Sequence, residues 1–88
     1  MTVFCVSYDL KKPGRDYVDL YKKLNAYKCV HVLESTWFIV TDEEVGKVRD
    51  NLMSIVDAND LIIVIEVVKH WGTFNIKKED TDFLKNVF

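Results

Sequence analysis

Residues 30–40 read Val-His-Val-Leu-Glu-Ser-Thr-Trp-Phe-Ile-Val, two runs of β-branched and aromatic residues interrupted by Glu34, Ser35 and Thr36. That pattern predicts two short strands joined by a tight turn, because such side chains fit a pleated, half-buried surface and short polar ones fit a reversal. On the N-terminal side, Tyr17, Leu20, Tyr21 and Leu24 fall at i, i+3, i+4 and i+7. The spacing predicts an amphipathic helix from Asp16 to near Tyr27, with Lys22 and Lys23 off its apolar stripe. On the C-terminal side, Thr41 and Glu44 fit a capping box, which predicts a second helix starting at Thr41. In it Val45, Val48, Leu52, Ile55 and Val56 form the stripe, while Asp42, Glu43, Lys47 and Asp50 face water. Gly46 inside that helix suggests a close approach to a neighbouring element.

Further out lie two more apolar runs, Thr2 to Asp9 (TVFCVSYD) and Leu61 to Val68 (LIIVIEVV). Both are apolar on alternate and intervening positions, which predicts central strands buried on two sides. Lys11, Lys12, Pro13 and Gly14 break the first, and Asp57 to Asp60 form a turn before the second. The tail offers an extended arm or short strand over residues 70–74, then one or two helical turns around Phe83, Leu84 and Val87. The order strand, helix, strand, strand, helix, strand gives an α+β βαββαβ sandwich. Its four-stranded antiparallel sheet carries both helices on one face and ends in a short C-terminal arm or helix. One face of the sheet then stays apolar and open, which predicts a homodimer, with Ile63, Ile65, Val67, Trp71 and Phe74 as its interface.

The chain has 88 residues, 49% hydrophobic and 30% charged, with one Pro and three Gly, so a single domain over 1–88 is expected. A net charge of −2 excludes a protein that coats nucleic acid through bulk positive charge, so any such contact must be local. The opening apolar run is too short for a membrane span and has no basic stretch before it. The expected location is the cytoplasm, with no membrane contact, and there Cys5 and Cys29 remain free thiols. No P-loop, HExxH, Gly-x-Ser-x-Gly or CxxC pattern occurs, which removes the nucleotide hydrolase, zincin, serine hydrolase and thiol redox classes.

Ser7-Tyr8-Asp9-Leu10 with its basic loop, Ser35-Thr36-Trp37-Phe38-Ile39-Val40, residues 59–67 (NDLIIVIEV) and the closing aromatic arm together resemble a known family. They are similar to the small SinR-like proteins of bacterial and phage genomes, relatives of the CRISPR-associated Cas-two family and of the VapD toxins. No helix-turn-helix pattern accompanies the SinR name here. The resemblance covers nearly the whole chain. It implies a ferredoxin-like homodimer in which Asp9, ending the first strand, faces its mate near the twofold axis. It also implies either a metal-dependent endonuclease acting on RNA or DNA, or a non-catalytic scaffold in phage defence or counter-defence. Ser35 matches the family's hairpin serine, and Trp71 with Phe74 its aromatic arm. The loop after Asp9 carries Lys11, Lys12 and Arg15 where many relatives have an arginine-rich run.

Asp9 is the sharpest chemical candidate. A carboxylate ending an apolar strand can hold Mg²⁺ or Mn²⁺ together with its mate, or can serve only as a turn residue accepting backbone amides. Tyr8 is a candidate to orient a phosphate or water, or else a core ring, and Ser35 joins Asp9 and Tyr8 as a catalytic candidate. Lys11, Lys12 and Arg15 can hold a phosphate backbone near the acid, or be a solvated charged loop. His70 and Trp71 complete the candidate nucleic-acid contacts. His31 and His70 have no partner at ligand spacing, so no zinc site is expected.

Overall fold

A computed structural model describes residues 1–11 and 17–88. Its elements run β1 (Thr2–Asp9), α1 (Val18–Asn25), β2 (Lys28–Leu33), β3 (Thr36–Thr41), α2 (Val45–Met53), β4 (Leu61–Glu66) and α3 (Lys78–Val87). The four strands form one antiparallel sheet in the order β2-β3-β1-β4, the ferredoxin-like α+β arrangement. The hairpin turns at Glu34 and Ser35, and the register shifts between His31 and Leu33, a bulge in the edge strand β2.

On one sheet face Phe4, Val6 and Tyr8 of β1 and Trp37 and Ile39 of β3 meet Leu20 and Leu24 of α1 and Val48 and Leu52 of α2. The pairs Leu20/Leu24 and Val48/Leu52 are each four residues apart, so each helix aims two side chains at the same patch of sheet. Fully burying a leucine or valine stabilises by about 1.5–3 kcal/mol, so these four are the fully buried anchors of the two helices. No buried side-chain nitrogen or oxygen among the described residues lacks a hydrogen-bond partner.

Three expectations about this face are corrected. Helix α2 begins at Val45 after Glu44, and no side chain caps it. The Thr41 hydroxyl instead accepts the Glu43 N–H at 3.2 Å, closing a turn one step before the helix, and the Glu43 carboxylate accepts the Tyr27 hydroxyl at 2.7 Å. Thr41 is too far upstream of the first helical turn to act in a capping box. A Cβ on Gly46 would meet nothing nearer than the Arg49 guanidinium at 3.9 Å, so no close approach requires that glycine. Finally, β4 is an edge strand, not a central one. Ile62 and Val64 pack on the helix-covered core, while Leu61, Ile63 and Ile65 are 56%, 54% and 50% exposed on the far side.

That far side is half covered. The tail forms an extended arm and then the ten-residue helix α3, longer than the one or two turns expected, with Lys78 and Asp82 paired at 2.8 Å one turn apart. Helix α3 packs on β2 and buries Leu84. Asn75, between the arm and α3, has a φ of 59°, a left-handed conformation that Asn tolerates. Among the described residues no helix covers the β1–β4 half in this way. The chain exposes 5961 Å² of surface, above the roughly 5,400 Å² expected of a compact monomer of this length.

Candidate functional site

Strand β1 alternates, so Tyr8 enters the helix-covered core while Ser7 and Asp9 turn to the other face. Asp9 stands opposite Leu61 in the last register pair of β1 and β4. It lines a shallow hollow of about 260 Å³ with Ser7, Tyr8, Leu61, Ile62 and Ile63. Its side chain is largely exposed, and one carboxylate oxygen, Oδ2, pairs with the Lys11 ammonium at 2.7 Å. Ser7 Oγ and Thr36 Oγ1 lie 3.3 Å apart across the strands.

Tyr8 is a core ring. Its hydroxyl accepts the Trp37 indole N–H at 3.1 Å and donates to the Glu34 carbonyl at 3.3 Å, and burial pushes the phenol up to about 12. A phenol so placed supplies no base at neutral pH. Ser35 reaches this end of the sheet through its backbone, its carbonyl accepting the Tyr8 N–H at 3.1 Å. Asp9, Tyr8, Ser35 and Lys11 therefore gather at one end of β1. Lys12 and Arg15 lie outside the described residues.

His70 and Trp71 lie elsewhere. The Val67 N–H donates to the Val3 carbonyl at 2.8 Å, so the arm leaves the sheet at the other end of β1. Six residues of strand, about 20 Å, separate that point from Asp9. Trp71 is half-buried with its ring 6.1 Å from Phe88, in a groove of about 290 Å³ that Phe38, Phe74 and Leu84 also line. Of the expected interface residues, Ile63 and Ile65 are exposed on the open half-face and Phe74 is 84% exposed, whereas Trp71 already packs within its own chain.

Among the described residues no group of three His, Cys, Asp or Glu side chains could hold a metal ion. Asp9 brings one carboxylate per chain, so a divalent cation with several retained waters would meet two protein carboxylates here where two copies each contribute an Asp9. Cys5 and Cys29 are free, and burial pushes both thiols up, away from the reactive thiolate. No helix among the described residues is long and apolar enough to cross a membrane.

Two arrangements join residues far apart in sequence. The Tyr27 hydroxyl links Glu43 at 2.7 Å to Asn51 at 3.0 Å, and Asn51 accepts Lys23 at 3.0 Å, joining both helices to the start of β2. Asp60, read from sequence only as a turn residue, accepts the Lys11 N–H at 2.8 Å, the Tyr17 hydroxyl at 3.2 Å and the Asp57 N–H at 2.9 Å. An Asp one residue ahead of a strand is the only hint the sequence offers for it.

No family model and no curated protein matches the chain. Among solved structures it is similar to the crystal structure of a hypothetical protein, TT1823, from Thermus thermophilus. The TM-score is 0.69 at 21% sequence identity, over 84% of this chain and 90% of that one, a likeness of fold.

Proposed function

We propose that this chain works as a homodimer of the SinR-like, Cas-two and VapD kind, and that its two Asp9 carboxylates share a cleft where RNA or DNA is cut with Mg²⁺ or Mn²⁺. One observation carries the reading: Asp9 lies on the same uncovered half-face as Leu61, Ile63 and Ile65. A second copy that covers those side chains about a twofold axis brings the two acids to one seam. There the Lys11 ammonium holds a phosphate oxygen beside the acid, and the Asp9 carboxylate accepts a hydrogen bond from the attacking water and orients it. A bound cation would supply a water of lowered pKa.

A specific observation favours a second reading, a non-catalytic scaffold for nucleic acid or protein in the same family. Lys11 already neutralises Asp9 at 2.7 Å, and Tyr8 is closed off in the core. The deciding experiment incubates purified protein with RNA and DNA in Mg²⁺ or Mn²⁺. Metal-dependent cleavage that disappears in Asp9→Ala supports the nuclease. Equal behaviour of wild type and Asp9→Ala, with no cleavage by either, leaves the scaffold.

A further inference from the structure

We infer that Asp60 is a positioning residue that fixes the backbone of Lys11 and, through it, the ammonium beside Asp9. The inference rests on the reading of Asp9 and Lys11 above as the phosphate-handling pair.

Asp60 immediately precedes β4, and its two carboxylate oxygens do different things. Oδ2 accepts the Asp57 N–H at 2.9 Å, a bond within the turn that leads into β4. Oδ1 reaches 49 residues back along the chain to the Lys11 N–H at 2.8 Å, and also accepts the Tyr17 hydroxyl at 3.2 Å. The β1–β4 register ends at Asp9 and Leu61, so the Lys11 N–H lies beyond the ladder and has no strand carbonyl to meet. Asp60 takes that amide and so extends the order of β1 two residues past its last strand pair.

These donors, the Lys11 backbone foremost, hold the Asp60 carboxyl below the ordinary carboxylate value, so it is ionised at neutral pH and its hydrogen bonds are charge-assisted. The Lys11 side chain then returns to Asp9 Oδ2 at 2.7 Å. An exposed ion pair between two free side chains is weakly ordered, because both must give up rotamer freedom to form it. Fixing one backbone removes part of that cost. Asp60 thereby sets where the positive charge stands relative to the acid, and the residue acting on a ligand is Lys11.

The test has a structural arm and a functional arm. The first follows Lys11 amide exchange by NMR in wild type, Asp60→Asn and Asp60→Ala. Loss of a charge-assisted bond in Asp60→Ala should speed exchange about tenfold or more. Asp60→Asn keeps one oxygen that can accept the Lys11 N–H but loses the charge and the acceptor of the Asp57 N–H, so its exchange should fall between wild type and Asp60→Ala. Should Asp60→Ala fail to fold, the wild type suffices: the Lys11 amide resonance should move as Asp60 protonates, below the ordinary carboxylate value. Unchanged exchange in a folded Asp60→Ala, an Asn variant as impaired as the Ala one, or a Lys11 resonance that stays flat through that pH range overturns the inference.

The functional arm measures binding of single-stranded RNA and DNA oligonucleotides against salt for wild type, Asp60→Ala, Lys11→Ala and the double variant. Loss of one phosphate contact should flatten the log–log salt slope by about 0.7 in Asp60→Ala. In the double variant the Asp60 substitution should add nothing further. Equal effects of Asp60→Ala with and without the Lys11 side chain overturn action through Lys11. If wild type binds neither RNA nor DNA, the nucleic-acid reading of Asp9 falls, and the Lys11 amide still decides whether Asp60 positions it.

Discussion

On one side of the sheet, Leu20, Leu24, Ile39, Val48 and Leu52 are sealed between strands and helices. On the other, α3 and its arm cover the β2–β3 half while Leu61, Ile63 and Ile65 of β4 stay half exposed. Strand β4 belongs to both environments, with Ile62 and Val64 on one side and equally apolar neighbours on the other. Hydrophobicity therefore does not distinguish the two sides. The supply of covering elements does: two helices are used on the first face, and the single α3 reaches only half of the second.

The largest effect separating the two sides should come from Leu52→Ala, which empties a fully buried position and should cost about 2–5 kcal/mol in denaturant unfolding. A loss under about 1 kcal/mol would mean that the helix-covered side closes up around the gap. Next, Tyr8→Phe removes the acceptor of the Trp37 indole N–H and should cost about 1–3 kcal/mol by the same measurement. Thr41→Ala should cost less, about 0.5–1 kcal/mol, because one hydrogen bond in a turn is lost and no helix cap.

The opposite side should behave differently. Ile63→Glu, on the open half-face, should change the stability of the isolated chain by no more than about 0.5 kcal/mol. For the proposed dimer, light scattering of wild type should give twice the chain mass and Ile63→Glu the mass of one chain; a dimer that survives the substitution is held by some other surface. The smallest effect is one of pH. The Asp60 carboxyl is held below its ordinary value of 3.8, so its contribution is fully present above that value and is lost as pH falls through the lower, folded one. Melting temperatures of wild type and Asp60→Asn should differ by a constant amount above about pH 4 and converge below it. A gap that grows on acidification would reverse the assignment.

Much of this architecture is legible in the residues themselves. The alternation of Phe4, Val6 and Tyr8, and the polar break at Glu34 and Ser35, identify a central strand and a hairpin because both signals are local. The start of α2 is misread because Thr41 and Glu44 satisfy the capping spacing, while Glu43 finds its partner in Tyr27, 16 residues away in sequence. The edge position of β4 is hidden for another reason: an apolar run does not say whether its second face is covered by the same chain. At the candidate site, Asp9 and Lys11 are two residues apart and readable together. Asp60 joins them across 49 residues, and the arm carries His70 and Trp71 to the far end of the sheet. Neither partner can be read from local sequence.

The two tryptophans fall on different sides of the sheet. Trp37 is buried, hydrogen-bonded to Tyr8 and stacked on His31 at 4.1 Å, and Trp71 is half-buried against Phe88 in the groove under α3. Their fluorescence should therefore be separable in solution, with a blue-shifted emission expected from the first and a redder one from the second. With Trp71→Phe the remaining light comes from the core alone. Detachment of α3 during heating would then pass unseen in that variant while the wild type dims and reddens, so melting the two proteins side by side times the loss of one layer against the loss of the other.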